Sequence, residues 1–215
     1  MPACLSVLRG VKDFMRDSDF GLRRLHSLLG IIPIGLFLTQ HLVINHFATQ
    51  GVEAFNTASD FMGNLPFVLW LEWIVIYIPL MFHAFFGLYI AFTSKPNTNR
   101  YGTYRNWMFL LQRITGVFLV IFIAWHIWQT RIQKALGAEV NFDMMADIFA
   151  NPFMIAFYLA GVIAATFHLA NGFWSFLVTW GITQSPRSQR ISTLVMMGLF
   201  LVLSVIGIRA IFAFV

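Results

Sequence analysis

The sequence predicts an all-α membrane protein of five transmembrane helices. Three observations carry this. The chain is 59% hydrophobic and only 11% charged, where a soluble domain averages about 25% charged residues. Its apolar residues fall in long runs, more than a core of ordinary size absorbs. Five of those runs reach the ~20 residues that cross ~30 Å of hydrocarbon.

The first span covers about 25–48. Residues 1–24 ahead of it are mixed polar and basic with no apolar signal core, so the span is expected to insert uncleaved. The second, 66–94, follows "MGNLP" with proline in its first turn, where a missing N–H costs least. It carries one charge, Glu72, and ends at "SKPNTN". The third, 106–130, carries Arg113. The fourth, 152–182, opens at "ANP", holds no charged residue and ends at "TQSPRS". The fifth, 191–215, carries Arg209, which is expected to pair with Glu72 because a lone charge in hydrocarbon is expensive. The outer segments 49–65 and 131–151 read as short amphipathic helices at the interface. No linker separates domains, so 25–215 reads as one membrane domain.

The net charge of +5 is a topology signal, not a nucleic-acid one. Arg9, Lys12, Arg16, Arg23 and Arg24, the 95–105 loop with Lys95, Arg100 and Arg105, and the 183–190 loop with Arg187 and Arg190 lie on one side. Only Arg131 and Lys134 lie on the other. This bias puts the N-terminal segment and those loops in the cytoplasm. The single cysteine, Cys4, excludes an internal disulfide, a Cys-ligated iron–sulfur cluster and a Cys-rich zinc site.

A repeat runs through the first four spans. His41 and His126 are 85 residues apart, as are His83 and His168, and Gly87 and Gly172. "HAFFG" maps onto "HLANG", and Gly30 and Gly116 miss the offset by one residue. Spans one and two thus correspond to three and four in the same orientation, which suggests a two-fold-related four-helix core.

The histidines carry the chemistry. A single intramembrane histidine reads equally as an interhelical hydrogen bond or a ligand; four at one repeat spacing favour a functional set. At 1.5 Å per residue, His41 and His126 lie roughly 24 and 30 Å above the inner ends of their spans, and His83 and His168 ~16–21 Å. Two levels, each with two imidazoles on different helices, suit two stacked haem irons better than zinc or di-iron sites. Gly30, Gly87 and Gly172 would give a macrocycle room, or simply allow close helix packing. His26 and Ser27, beside Arg23 and Arg24, are placed to hold anionic haem propionates; an interfacial anchor is the other reading. His46 is expected to be solvated at the outer rim, and Arg113 to face away from the haem side.

Several stretches resemble the di-haem cytochrome b membrane anchors of succinate dehydrogenase. They are "RRLHSLLG" (23–30), "FHAFFGLYIAF" (82–92), "RNWMFLLQRITG" (105–116), "EVNFDMMA" (139–146), "FHLANGFWSFLVTWGIT" (167–183) and "PRSQR" (186–190). The closer likeness is to the one-chain, five-helix type of bacteria that use menaquinone. It covers 18–215, with 1–17 as an N-terminal extension. The resemblance implies that His83 and His168 ligate an inner haem b, and His41 and His126 an outer one. It also implies that His26 and Ser27 lie by the inner propionates. A related fumarate reductase anchor has a lysine where this chain has Thr179.

The activity so implied is electron transfer in a bacterial cytoplasmic membrane. A flavoprotein subunit would oxidise succinate, an iron–sulfur subunit would dock on the basic inner loops, and electrons would pass from inner to outer haem and to menaquinone. The chain has no dinucleotide or flavin fingerprint, so it holds no succinate-oxidising site of its own. Gln40, Glu53, Asp60 and Trp125 are quinone-site candidates, with Glu53 and Asp60 also readable as solvated loop carboxylates. Two alternatives remain from the residues: a di-haem quinol cytochrome of another oxidoreductase, such as nitrate reductase or a hydrogenase, and a non-haem transporter with histidine proton relays.

Overall fold

The computed structural model describes residues 19–215. The N-terminal extension expected over 1–17, and with it Cys4, lies outside the described residues. The described chain is helical, with no strand. Seven helices follow in order: α1 (Asp19–Gln50), α2 (Val52–Gly63), α3 (Val68–Thr93), α4 (Tyr104–Ala135), α5 (Phe142–Phe149), α6 (Pro152–Thr179) and α7 (Pro186–Ala213). Five of them, α1, α3, α4, α6 and α7, are long and apolar enough to cross a membrane.

Capping explains where the helices start. Thr103 accepts from the Asn106 amide ahead of α4, and Asn151 from the Phe153 amide ahead of α6. Ser185 and Ser188 close a capping box on α7, whose first residue is Pro186. α7 therefore begins five residues before the expected 191. Arg187 and Arg190 lie in its first turns rather than in a loop, and Arg105 likewise lies inside α4. The Arg105 guanidinium packs on Trp174 of α6, 3.4 Å from the ring centroid, and hydrogen-bonds Thr193 of α7. One side chain thus ties three helices at one end of the bundle.

The five long helices form a closed ring: α1 packs on α3, α3 on α4, α4 on α6, α6 on α7, and α7 on α1. Small residues allow the closest approaches, as expected where no hydrophobic effect drives helices together. A Cβ on Gly207 of α7 would come within 2.6 Å of Val162 and 3.0 Å of Leu42. Beside it the buried hydroxyls of Thr166 and Ser204 hydrogen-bond at 2.8 Å. The hydrogen-bond ladder of α1 is interrupted at Ile32, because Pro33 has no N–H to continue it.

The short helices close one end. Phe55 of α2, Phe142 and Phe149 of α5 and Phe214 beyond α7 pack ring against ring, with centroids 4.9–6.1 Å apart. The Phe142 amide donates to Asn56 Oδ1 at 2.8 Å, which joins α5 to α2.

The structure departs from two expectations of the sequence. Glu72 pairs with Arg131, not Arg209: the Arg131 guanidinium grips the carboxylate with Nε at 3.1 Å and Nη2 at 2.7 Å. α7 packs between α6 and α1, so Arg209 is on a helix that does not adjoin α3. Both partners of the pair sit in π-helical stretches, Glu72–Tyr77 and Trp128–Ile132, which aim them at each other. His46 is not simply solvated: its Nδ1–H donates to the Ile206 carbonyl at 3.1 Å and ties α1 to α7.

Candidate functional site

Inside the ring, α3 and α6 make little direct backbone contact. Imidazoles meet across the gap instead. His83 of α3 and His168 of α6 have ring centroids 6.2 Å apart at 83°. His41 of α1 and His126 of α4 have centroids 5.7 Å apart at 77°. The two pairs lie on crossing diagonals of the four helices α1, α3, α4 and α6. His41 stands 22 residues after Asp19, and His126 22 after Tyr104. His83 stands ten residues before Thr93, and His168 eleven before Thr179. The pairs therefore occupy two levels, separated by ~17 Å along the helix axes.

Hydrogen bonds fix the ring tautomers. His83 Nδ1 lies 3.0 Å from the His26 carbonyl, which can only accept, so Nδ1 carries the proton. Thr115 gives its hydroxyl proton to the Leu111 carbonyl at 2.8 Å, so at 3.2 Å it accepts from His168 Nδ1. Tyr158 donates to Gln129 Oε1 at 3.0 Å and accepts from His126 Nδ1 at 3.3 Å. All three rings thereby keep a lone pair at Nε2, and among the described residues no hydrogen bond occupies it. This is how a protein orients imidazole ligands: the distal nitrogen is held by a second partner. His41 differs, because its Nε2 lies 3.4 Å from the Asn45 amide.

The donor set limits what can be held. Among the described residues no three His, Cys, Asp or Glu side chains cluster as a metal site. Two imidazoles leave a bare ion short of ligands, but they complete an iron that arrives in a tetrapyrrole. An ion ~2.0–2.1 Å from each nitrogen sets two imidazole centroids about 6 Å apart, close to both separations here. Space is reserved at the same places. A Cβ on Gly30 would lie 2.5 Å from His83 Cε1, and one on Gly116 would lie 3.0 Å from His168 Cε1. His26 stacks on His83 at 4.0 Å and 5°, and its Nε2 is buried with no partner. That atom faces Gly87, whose missing Cβ would be 3.1 Å away. A tetrapyrrole with a polar edge at this end fits the orphaned donor and the missing side chains.

Residues 93–207 match the family of succinate dehydrogenase/fumarate reductase transmembrane subunits. The succinate dehydrogenase cytochrome b558 subunit of Bacillus subtilis (strain 168) is 58% identical over 199 residues, which cover 93% of this chain and 98% of that protein. The chain belongs to this family. It is a membrane-spanning cytochrome b subunit of the succinate dehydrogenase/fumarate reductase type.

The structure adds residues of this transmembrane subunit that sequence reasoning missed. Gln112 donates to the His168 carbonyl at 3.0 Å and is held by Asn171 at 2.7 Å. A Cβ on Gly172 would meet Gln112, as one on Gly87 would meet His26. The 86-residue offset of Gly30 and Gly116 carries His26 onto Gln112, so that offset was the available signal. Ser27 gives its proton to the Arg24 carbonyl at 2.9 Å and accepts from Trp180 Nε1 at 3.1 Å. Arg24 lies over Trp180 and reaches the Thr179 carbonyl at 3.4 Å, which brings a cation to the end of α6.

At the other level a cavity of about 760 Å³ opens between the end of α4, α5 and the start of α6. Trp125, Trp128, Gln129, Asp143 and Asp147 line it. Gln129 connects it through Tyr158 to His126. Of the four quinone-site candidates only Trp125 faces this cavity. Gln40 donates to Met62 Sδ at 3.0 Å, and Glu53 and Asp60 are exposed on α2.

Proposed function

We propose that this subunit is a di-haem cytochrome b anchor. Electrons enter from an iron–sulfur subunit at the end of the bundle that holds His26 and leave to menaquinone at the end closed by α2 and α5. The observation that supports this best is the pair of crossed histidine diagonals at two levels. His83 and His168 hold the inner haem; His41 and His126 hold the outer one. Each haem b supplies a one-electron Fe(III)/Fe(II) couple, with its potential tuned by ligand hydrogen bonding and burial. The chain's own work is positional. The His26 carbonyl, Thr115 and Tyr158 present Nε2 lone pairs, and Gly30 and Gly116 clear the ring space. His26 Nε2, Ser27 and Arg24 gather polar groups where inner propionates would end. His41 takes part once the Asn45 amide turns toward the His41 carbonyl, to which it already donates at 2.8 Å.

Menaquinone takes the cavity beside Trp125. There Gln129 and Trp128 supply donors to its oxygens, and the Asp143 and Asp147 carboxylates are placed to pass protons to the quinol. The basic ends of α1, α4 and α7 face the cytoplasm, where the flavoprotein and iron–sulfur subunits assemble. Electrons then cross most of the bilayer, so the reaction is coupled to membrane potential.

Reduced-minus-oxidised spectra of the purified complex test this reading. Two haems b per chain are expected. His83→Ala or His168→Ala should remove one haem component and leave the other. A ratio near one, or equal loss of both components, would overturn the pairing.

A further inference from the structure

Arg113 opens into a lipid-facing groove between α3 and α4. The groove is about 450 Å³, with Ala91 and Phe92 on one wall and Ile114, Val117 and Ile121 on the other. Phe92, Ile114 and Ile121 are 77%, 55% and 62% exposed, so this wall faces the acyl chains of the bilayer. From Arg113 to Ile121 the groove follows about 12 Å of helix axis.

The guanidinium leans back along α4, as helical side chains do. Nη1 donates to the Phe109 carbonyl at 2.8 Å, and Nη2 to Ser94 Oγ at 3.1 Å. Ser94 can accept because its own proton goes to the Ile90 carbonyl at 2.6 Å. Ser94 is the first residue beyond α3, so these bonds place the charge where α3 leaves the membrane, not at mid-bilayer. The Phe109 ring backs the guanidinium at 3.2 Å. Among the described residues Arg113 forms no ion pair. Its Nε is buried without a partner. Two of its five N–H groups are used and Nε is buried, so one N–H on each Nη remains at the head of the apolar slot.

We propose that this groove binds one anionic phospholipid from the bilayer. Its phosphate sits on Arg113, and one acyl chain lies along Ile114, Val117 and Ile121. A planar guanidinium with free N–H groups matches the two unesterified oxygens of a phosphodiester. The apolar slot below matches a hydrocarbon chain, and Lys95, next to Ser94, adds positive charge at the same interface. The site lies outside the histidine ring: Gly116 points its missing Cβ at His168, while Arg113 and Ile114 face the groove.

The test is phospholipid retention by the intact three-subunit complex, purified in mild detergent and washed until bulk lipid is gone. Lipid is quantified by mass spectrometry against haem. Wild type should keep about one anionic phospholipid per complex. Arg113→Gln should lower that by about tenfold, the loss expected for one charge-assisted bidentate contact, with the haem spectrum unchanged. Val117→Trp, which fills the slot and keeps the charge, should lower it as well. Unchanged retention in either variant overturns the proposal. So does loss of quinone rather than phospholipid, or a shifted inner-haem potential with lipid retained, which would put Arg113 on a quinone or a propionate. If Arg113→Gln fails to assemble, Val117→Trp alone decides.

Discussion

Gly30 and Gly116 occupy positions where any side chain would strike an imidazole. The tolerances are unequal: an added Cβ would lie 2.5 Å from His83 Cε1 but 3.0 Å from His168 Cε1. Gly30→Ala must therefore displace His83 and strain its bond to the His26 carbonyl, at the ~1–3 kcal/mol typical of overpacking. Gly116→Ala needs a shift of only a few tenths of an ångström. Gly30→Ala should lower inner-haem content or shift its potential, and Gly116→Ala should do so less; potentiometric titration of the difference spectrum measures both. Equal effects, or a larger one at Gly116, would mean the ring space is set elsewhere. The four histidines were legible in the sequence because ionisable groups are costly within apolar runs, and a fixed spacing between them ties that cost to a shared role. Their hydrogen-bond partners were not. Thr115, Tyr158 and the His26 carbonyl are ordinary groups until helix rotation points them at a ring.

The five spans were legible as elements because their length and apolarity are local properties. What could not be read was each helix's neighbours. Glu72 and Arg209 looked like partners by depth, yet α7 seats itself between α6 and α1, and Arg131 takes the carboxylate. The π-helical turns that deliver this pair leave no mark in the sequence pattern. α5 supplies the other lesson. It read as an amphipathic helix at the interface, and it also walls the cavity with Asp143 and Asp147. Glu53 and Asp60 on α2, equally acidic, lie outside that lining. Trp125→Ala should thus raise KM for a soluble menaquinone analogue about tenfold, the effect of ~1.4 kcal/mol, with both haems retained. Glu53→Gln and Asp60→Asn should leave KM unchanged. Quinone-reductase kinetics of the complex separate these outcomes, and the reverse pattern would move the quinone to α2.

Across the whole molecule, the proposed orientation rests on the distribution of positive charge. In a Cys4→Ser background, Asn97→Cys should react with a membrane-impermeant maleimide only after cells are opened, and Ala150→Cys should react in intact cells. The opposite pattern would invert the bundle and place the proposed iron–sulfur contact outside. The repeat has a further consequence at this scale. Its axis relates His41 to His126 and His83 to His168, so it exchanges the two ligands within a level and never the two levels. Neither half of the chain supplies both histidines of either pair. The two proposed centres are therefore not repeats of one another: His26 stacks on one histidine pair, and the Tyr158–Gln129 link serves the other. Unequal properties at the two levels ask nothing of the duplication, because it relates only the histidines within each level.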